Sequence, residues 1–195
     1  MPVRYLLKKS LLIPTLFCLI SFFMGGVAKG QPSDSILWQT IETRHTIIRY
    51  QSLSDLNRFN SRIKYRTEGS VLTGLFSSSG PKDIENKAST KVDALFEKAQ
   101  EILDMRKKME KVTINVYNDK KQLQDAYQGI YGQPCRIRAW YEYRFNTIYI
   151  TIDDVHEGML AHEMAHSIID HYLLVRPPSA TAEILARYVD SHLKK

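Results

Sequence analysis

Apolar and polar residues change their spacing several times along the chain, and each change marks an element. Trp38 to Gln51 (WQTIETRHTIIRYQ) sets β-branched and aromatic residues at near-alternate positions, which predicts one or two strands of a sheet with one wet face. Ser54 then caps a short helix through Leu56, Phe59 and Ile63. Residues 64–82 are rich in Ser, Gly and Thr and close on Ser77-Ser78-Ser79-Gly80-Pro81, the composition of a surface loop. The longest helical signal runs from Asp83 to Met109, where Val92, Leu95, Phe96, Ala99, Ile102, Leu103 and Met109 fall on one face. Lys111–Tyr117 (KVTINVY) alternates as a strand, Lys120–Tyr131 is helical, and Gly132-Gln133-Pro134 breaks the chain. Strands at Ala139–Tyr143 and Thr147–Ile152 form a hairpin through Arg144-Phe145-Asn146. A helix from about Asp154 to Leu174, an Arg176-Pro177-Pro178 break and a last helix from Ser179 to about Leu193 complete the chain. The expectation is an α+β fold, a small and mostly antiparallel sheet backed by helices.

At 195 residues, 44% hydrophobic and 25% charged, the chain has the composition of one ordinary globular domain. That excludes a largely disordered chain, a collagen-like repeat, a coiled coil and a multi-span membrane protein. The N-terminus is different in kind. Arg4, Lys8 and Lys9 precede an apolar stretch from Leu11 to Met24, followed by the small residues Gly25, Gly26, Ala28 and Gly30. This is the layout of a secretory signal peptide over residues 1–30, and the apolar stretch falls short of the roughly 20 residues that cross a bilayer. A single domain over residues 31–195, exported to the periplasm or secreted, is therefore expected. Contact with a membrane is expected only through the N-terminal segment where it stays uncleaved.

Export also changes how the charge is read. The formal net charge is +6, but Arg4, Lys8, Lys9 and Lys29 belong to the leader, and without them 23 basic residues face 21 acidic ones. A net +2 is no basis for a nucleic-acid partner, and none is expected. Cys135 is left as the one cysteine beyond the leader, so no disulfide within the chain can staple the domain, and its packed core must hold it.

The chemistry concentrates in the penultimate helix, which contains His162-Glu163-Met164-Ala165-His166, an H-E-x-x-H sequence. At about 100° per residue, His166 lies about 40° from His162, Asp170 about 80° and Glu163 about 100°, so four polar groups share one stripe. Leu160, Ala161, Met164, Ala165, Ile168 and Ile169 occupy the opposite arc. Two imidazoles one turn apart can grip one zinc ion, with the neighbouring carboxylate beside its open position as general base. A third ligand is needed. His171 points off the stripe, and the positions that a metzincin would fill with Gly and His hold Ile169 and Tyr172. Glu183, in the last helix, can reach His162 and His166 if the two helices run antiparallel about the Pro-Pro turn.

H-E-x-x-H followed by a helix of the form A-E-x-L-A-x-Y-V resembles the gluzincin zinc metallopeptidases, and in particular compact peptidase MA-like domains of the minigluzincin type. The resemblance takes in the preceding hairpin and covers roughly Val112 to Leu193, while residues 31–110 carry none of it. It implies zinc held by His162, His166 and Glu183, with Glu163 as the catalytic general base. It further implies that Asp170 orients a ligand from behind, and that Ala139, Trp140 and Tyr141 form the cleft strand that binds a peptide or protein substrate. The chain departs from the thermolysin-like pattern at Arg187, where those members carry an acid, and Tyr141, Tyr143, Tyr188 and His192 all stay open as the group that steadies an oxyanion. The expected activity is that of an exported zinc endopeptidase. The alternatives are a non-catalytic zinc-bound scaffold, closed by Asp170, His171 or Cys135 as a fourth ligand, and a latent enzyme whose 31–80 region fills the cleft.

Overall fold

The computed structural model describes residues 36–65 and 80–193. The leader expected over residues 1–30 and most of the expected loop, residues 66–79, lie outside the described residues. Strands β1 (Gln39–Glu42), β2 (Thr46–Tyr50), β3 (Val112–Tyr117), β4 (Ala139–Glu142) and β5 (Thr147–Thr151) form one sheet in the order β1-β2-β3-β5-β4. The outer pairs β1–β2 and β4–β5 are antiparallel. The two central pairings, β2–β3 and β3–β5, are parallel. The sheet is therefore mixed, which corrects the expectation of a mostly antiparallel one. Parallel neighbours need a long crossover, and the connections from β2 to β3 and from β3 to β5 are both long enough to be one.

Five helices belong to the described residues: α1 (Leu53–Arg62), α2 (Pro81–Ile102), α3 (Lys120–Tyr131), α4 (Glu157–Tyr172) and α5 (Ser179–His192). Several ends differ from the sequence reading for local reasons. Ser52, not Ser54, caps α1 by accepting from the Asp55 amide at 3.2 Å. Helix α2 starts at Pro81, whose missing N–H suits a first turn, and stops at Ile102 instead of reaching Met109. There the chain turns through Asp104 at φ 52°, and the Gln100 amide bonds the carbonyls of Met105 and Lys107. Arg106, Lys107 and Lys108 thus lie past the helix. His156 caps α4 by accepting from the Met159 amide at 3.2 Å. No helix among the described residues is long and apolar enough to cross a membrane.

Strand alternation sorts the core onto two faces. Ile48, Val112, Ile114, Val116, Ile148 and Ile150, all fully buried, meet α1, α2, α4 and α5 on one face. Burial of each such side chain contributes about 1.5–3 kcal/mol. The other face carries Tyr117, Trp140 and Tyr149 against Leu123 of α3. There the Trp140 ring stacks on Tyr149 at 4.5 Å, and Tyr117 meets Trp38 edge-on at 5.3 Å. Strand β4 is thus an edge strand whose alternate residues face opposite sides: Ala139 and Tyr141 join the helical side, and Trp140 joins α3.

Candidate metal centre

Helix α4 divides as its sequence requires. Leu160, Ala161, Met164, Ala165, Ile168 and Ile169 are fully buried in the main core, which fixes the rotation of the helix and turns His162, Glu163, His166 and Asp170 towards a cleft of about 620 Å³. Helix α5 follows the Pro177-Pro178 turn and packs on α4. Its buried face is made of Ala182, Ala186 and Val189. Short side chains at a helix contact let the two axes approach closely, and this brings Glu183 to the histidines.

The resulting triangle is tight. His162 Nε2 and His166 Nε2 are 3.3 Å apart, and Glu183 Oε2 lies 3.6 Å from the first and 3.4 Å from the second. Ligand bonds of about 2.0–2.2 Å at tetrahedral angles separate ligand atoms by about 3.3–3.6 Å. The three edges match those of a tetrahedral site, and two imidazoles with one carboxylate are a donor set that suits zinc. Glu183 is steadied from behind: Arg187 Nε donates to its Oε1 at 2.8 Å, leaving Oε2 to the histidines. Among the described residues, His162, His166 and Glu183 are the one group gathered closely enough to hold a metal ion.

The protonation states favour ligation. Burial, with the charge of His162, lowers the His166 pKa against the opposing pull of Glu183 and Asp170, so its neutral form is favoured. Burial alone would raise Glu183, but the Arg187 hydrogen bond and the charges of both histidines outweigh it and hold the carboxylate below its usual range. Glu163 is 8% exposed. Burial pushes it up to about 7, with the Glu183 charge adding to the rise and a backbone hydrogen bond from Tyr141 opposing it. A cation held by the neighbouring ligands would draw that value down again.

No family model, curated protein or solved structure matches this chain.

The other residues singled out in the sequence divide into two groups. Ala139, Trp140 and Tyr141 border the same cleft as the triangle. The Trp140 ring packs on the far face of the sheet, so this residue meets the cleft through its backbone. Asp170 also borders the cleft, with its side chain 3% exposed. Its hydrogen bond comes from Arg176 Nε at 3.0 Å, and it acts on His166 through its charge. His171 meets Tyr143 edge-on at 6.0 Å, the Cys135 thiol donates to the Ile137 carbonyl at 3.3 Å, and Tyr188 and His192 stack on each other at 3.9 Å. None of His171, Tyr143, Cys135, Tyr188 and His192 borders the cleft.

Two residues at or behind the cleft escaped the sequence reading. Arg176 borders the cleft, and its one signal was a cation directly before the Pro-Pro turn that joins the two ligand helices. Asn146, read as a turn residue, sits at φ 43° and ties three elements together. Its Nδ2 donates to the Lys111 carbonyl at 3.2 Å, while its Oδ1 accepts from Tyr141 Oη and from Ser167 Oγ, each at 3.3 Å.

Proposed function

We propose that the protein is an exported zinc endopeptidase of the gluzincin, minigluzincin-like type. The observation that carries this reading is the triangle of His162, His166 and Glu183 with Glu163 buried beside it on the same helix stripe. His162, His166 and Glu183 would hold the zinc. The bound ion would supply a Lewis acid that polarises the scissile carbonyl and acidifies water. Glu163 takes the proton of the attacking water and passes it to the leaving amine. Burial raises its pKa, and an ion held by the three ligands would bring it back towards the ordinary carboxylate range, leaving the carboxylate ionised to accept that proton. The Arg187 hydrogen bond keeps Glu183 ionised and aimed.

Substrate binding follows from the position of β4. An edge strand presents unpaired main-chain groups, and an extended peptide laid along it gains hydrogen bonds without demanding a sequence. Tyr141, Ala139 and the backbone of Trp140 thus set the substrate over the triangle. The scaffold alternative requires a fourth protein ligand. Asp170 is engaged by Arg176, and neither His171 nor Cys135 borders the cleft.

The test is incubation of the zinc-loaded full chain with a diverse peptide library, with Glu163→Gln in parallel and cleavage read by mass spectrometry. The expected result is a set of cuts that the variant loses while keeping its zinc. Cleavage that survives in Glu163→Gln would overturn the mechanism. A protein carrying one zinc that cuts nothing would move the reading to the scaffold or the latent enzyme.

A further inference from the structure

Arg176 is the exposed cation of the cleft, and it is engaged only in part. Its Nε donates to Asp170 Oδ1 at 3.0 Å, and its guanidinium lies over the Tyr143 ring, 4.8 Å from the centroid. The two halves of the ion pair are unequal in exposure. The Asp170 side chain is 3% exposed and that of Arg176 is 60% exposed, so the pair hides its carboxylate and shows its guanidinium. A guanidinium keeps its charge throughout the working pH range and offers five N–H donors in a rigid fork. One of them is taken by Asp170. The anchor at Nε, the aromatic ring beneath and the Pro177-Pro178 that follows, with φ locked by its rings, hold the fork before any ligand arrives. A group held in place beforehand loses little freedom on binding.

We infer that Arg176 is the docking point for a carboxylate of the substrate. That carboxylate is either a Glu or Asp side chain at one fixed distance from the scissile bond, or the α-carboxylate of the substrate's C-terminus. The assignment deepens the peptidase reading and rests on it. The competing role for the Asp170–Arg176 pair is to fasten the turn to α4, and that role predicts a loss of stability without any preference for charge.

The experiment uses the zinc-loaded full chain and short alanine-rich peptides blocked at both ends, with a single Glu, or its neutral counterpart Gln, walked through every position. A second pair, identical except for a free or an amidated C-terminus, separates the two sources of the carboxylate. The ratio of kcat/KM for the best acidic peptide over its neutral twin should be about tenfold or more, as for a charge-assisted hydrogen bond at a partly exposed site. It should fall towards one in Arg176→Met and in about 1 M salt, with Arg176→Lys retaining part of it. Fluorescence anisotropy of the same labelled peptides on zinc-loaded Glu163→Gln reads the charge preference without turnover. Equal cleavage of the twins by the native chain, a salt-insensitive preference, or an undiminished ratio in Arg176→Met would overturn the inference and leave the peptidase standing. Acidic peptides bound through Arg176 but never cut by the native chain would sink the peptidase and leave the docking point, while a protein that neither binds nor cuts them would end both. The salt series needs no substitution, so a salt-insensitive preference overturns the inference even where Arg176→Met fails to fold, and Arg176→Lys then carries the assignment to this residue.

Discussion

Arg187 lies one turn after Glu183 on α5 and donates to its Oε1. By binding Oε1 it leaves a single oxygen for the histidines. Two effects then compete when Arg187 is removed. Its positive charge opposes a cation, so its loss should help binding, whereas the loss of orientation should hurt. The side chain is 75% exposed, so water and salt screen the charge and orientation wins. Arg187→Met should therefore weaken zinc binding by about 10- to 100-fold, read by competition with a chelator of known affinity. Unchanged affinity would mean that Glu183 is aimed by the packing of Ala182 and Ala186 alone. At this scale the sequence was most legible where chemistry is local: the spacing of His162, Glu163, His166 and Asp170 on one helix defines a stripe whatever surrounds it. Arg176 was hidden because its meaning depends on Asp170 being buried, and burial is a property of the fold.

Asn146 joins the cleft strand to the ligand helix, and its loss should be felt by both. Asn146→Ala removes three hydrogen bonds and places a Cβ-bearing residue with no local partner at φ 43°, so the domain should lose about 2–4 kcal/mol. Urea unfolding measures this, and Asn146→Gly, which relieves the backbone but not the hydrogen bonds, should fall between the two. Equal stability of Gly and native forms would assign the whole effect to the backbone. Helix α3 was legible to the residue because both of its ends are written locally: Asp119 accepts from the Gln122 amide at its start, and Gly132 takes φ 69° at its close. The end of α2 was not. Leu103 and Met109 continue the apolar spacing, and only the Gln100 amide binding the departing chain shows why the helix stops.

The direction of the central strands illustrates the same limit for the molecule as a whole. Alternation tells which residues of β2, β3 and β5 are buried, but nothing in a strand's own pattern names its neighbour or its sense. Both parallel pairings depend on crossovers whose course is decided by packing. The candidate metal centre is likewise non-local, since His162 and His166 come from α4 and Glu183 from α5. A shared ion would cross-link the two helices, so its removal should destabilise the domain by about 4 kcal/mol when free zinc stands about 1,000-fold above its Kd. Thermal melts with and without chelator measure the shift, and coincident melts would show that the folded domain holds no ion.

The stacking of Trp140 on Tyr149 has an optical consequence. Both tryptophans of the chain, Trp38 and Trp140, pack with the aromatic cluster on the face of the sheet away from the triangle. Their emission should therefore pass unchanged through metal loading. Yet Trp140 is also the middle residue of the cleft strand, so a peptide paired along that edge would shift the indole from behind. Native fluorescence then becomes a label-free gauge of strand occupancy, silent to the ion and responsive to the peptide.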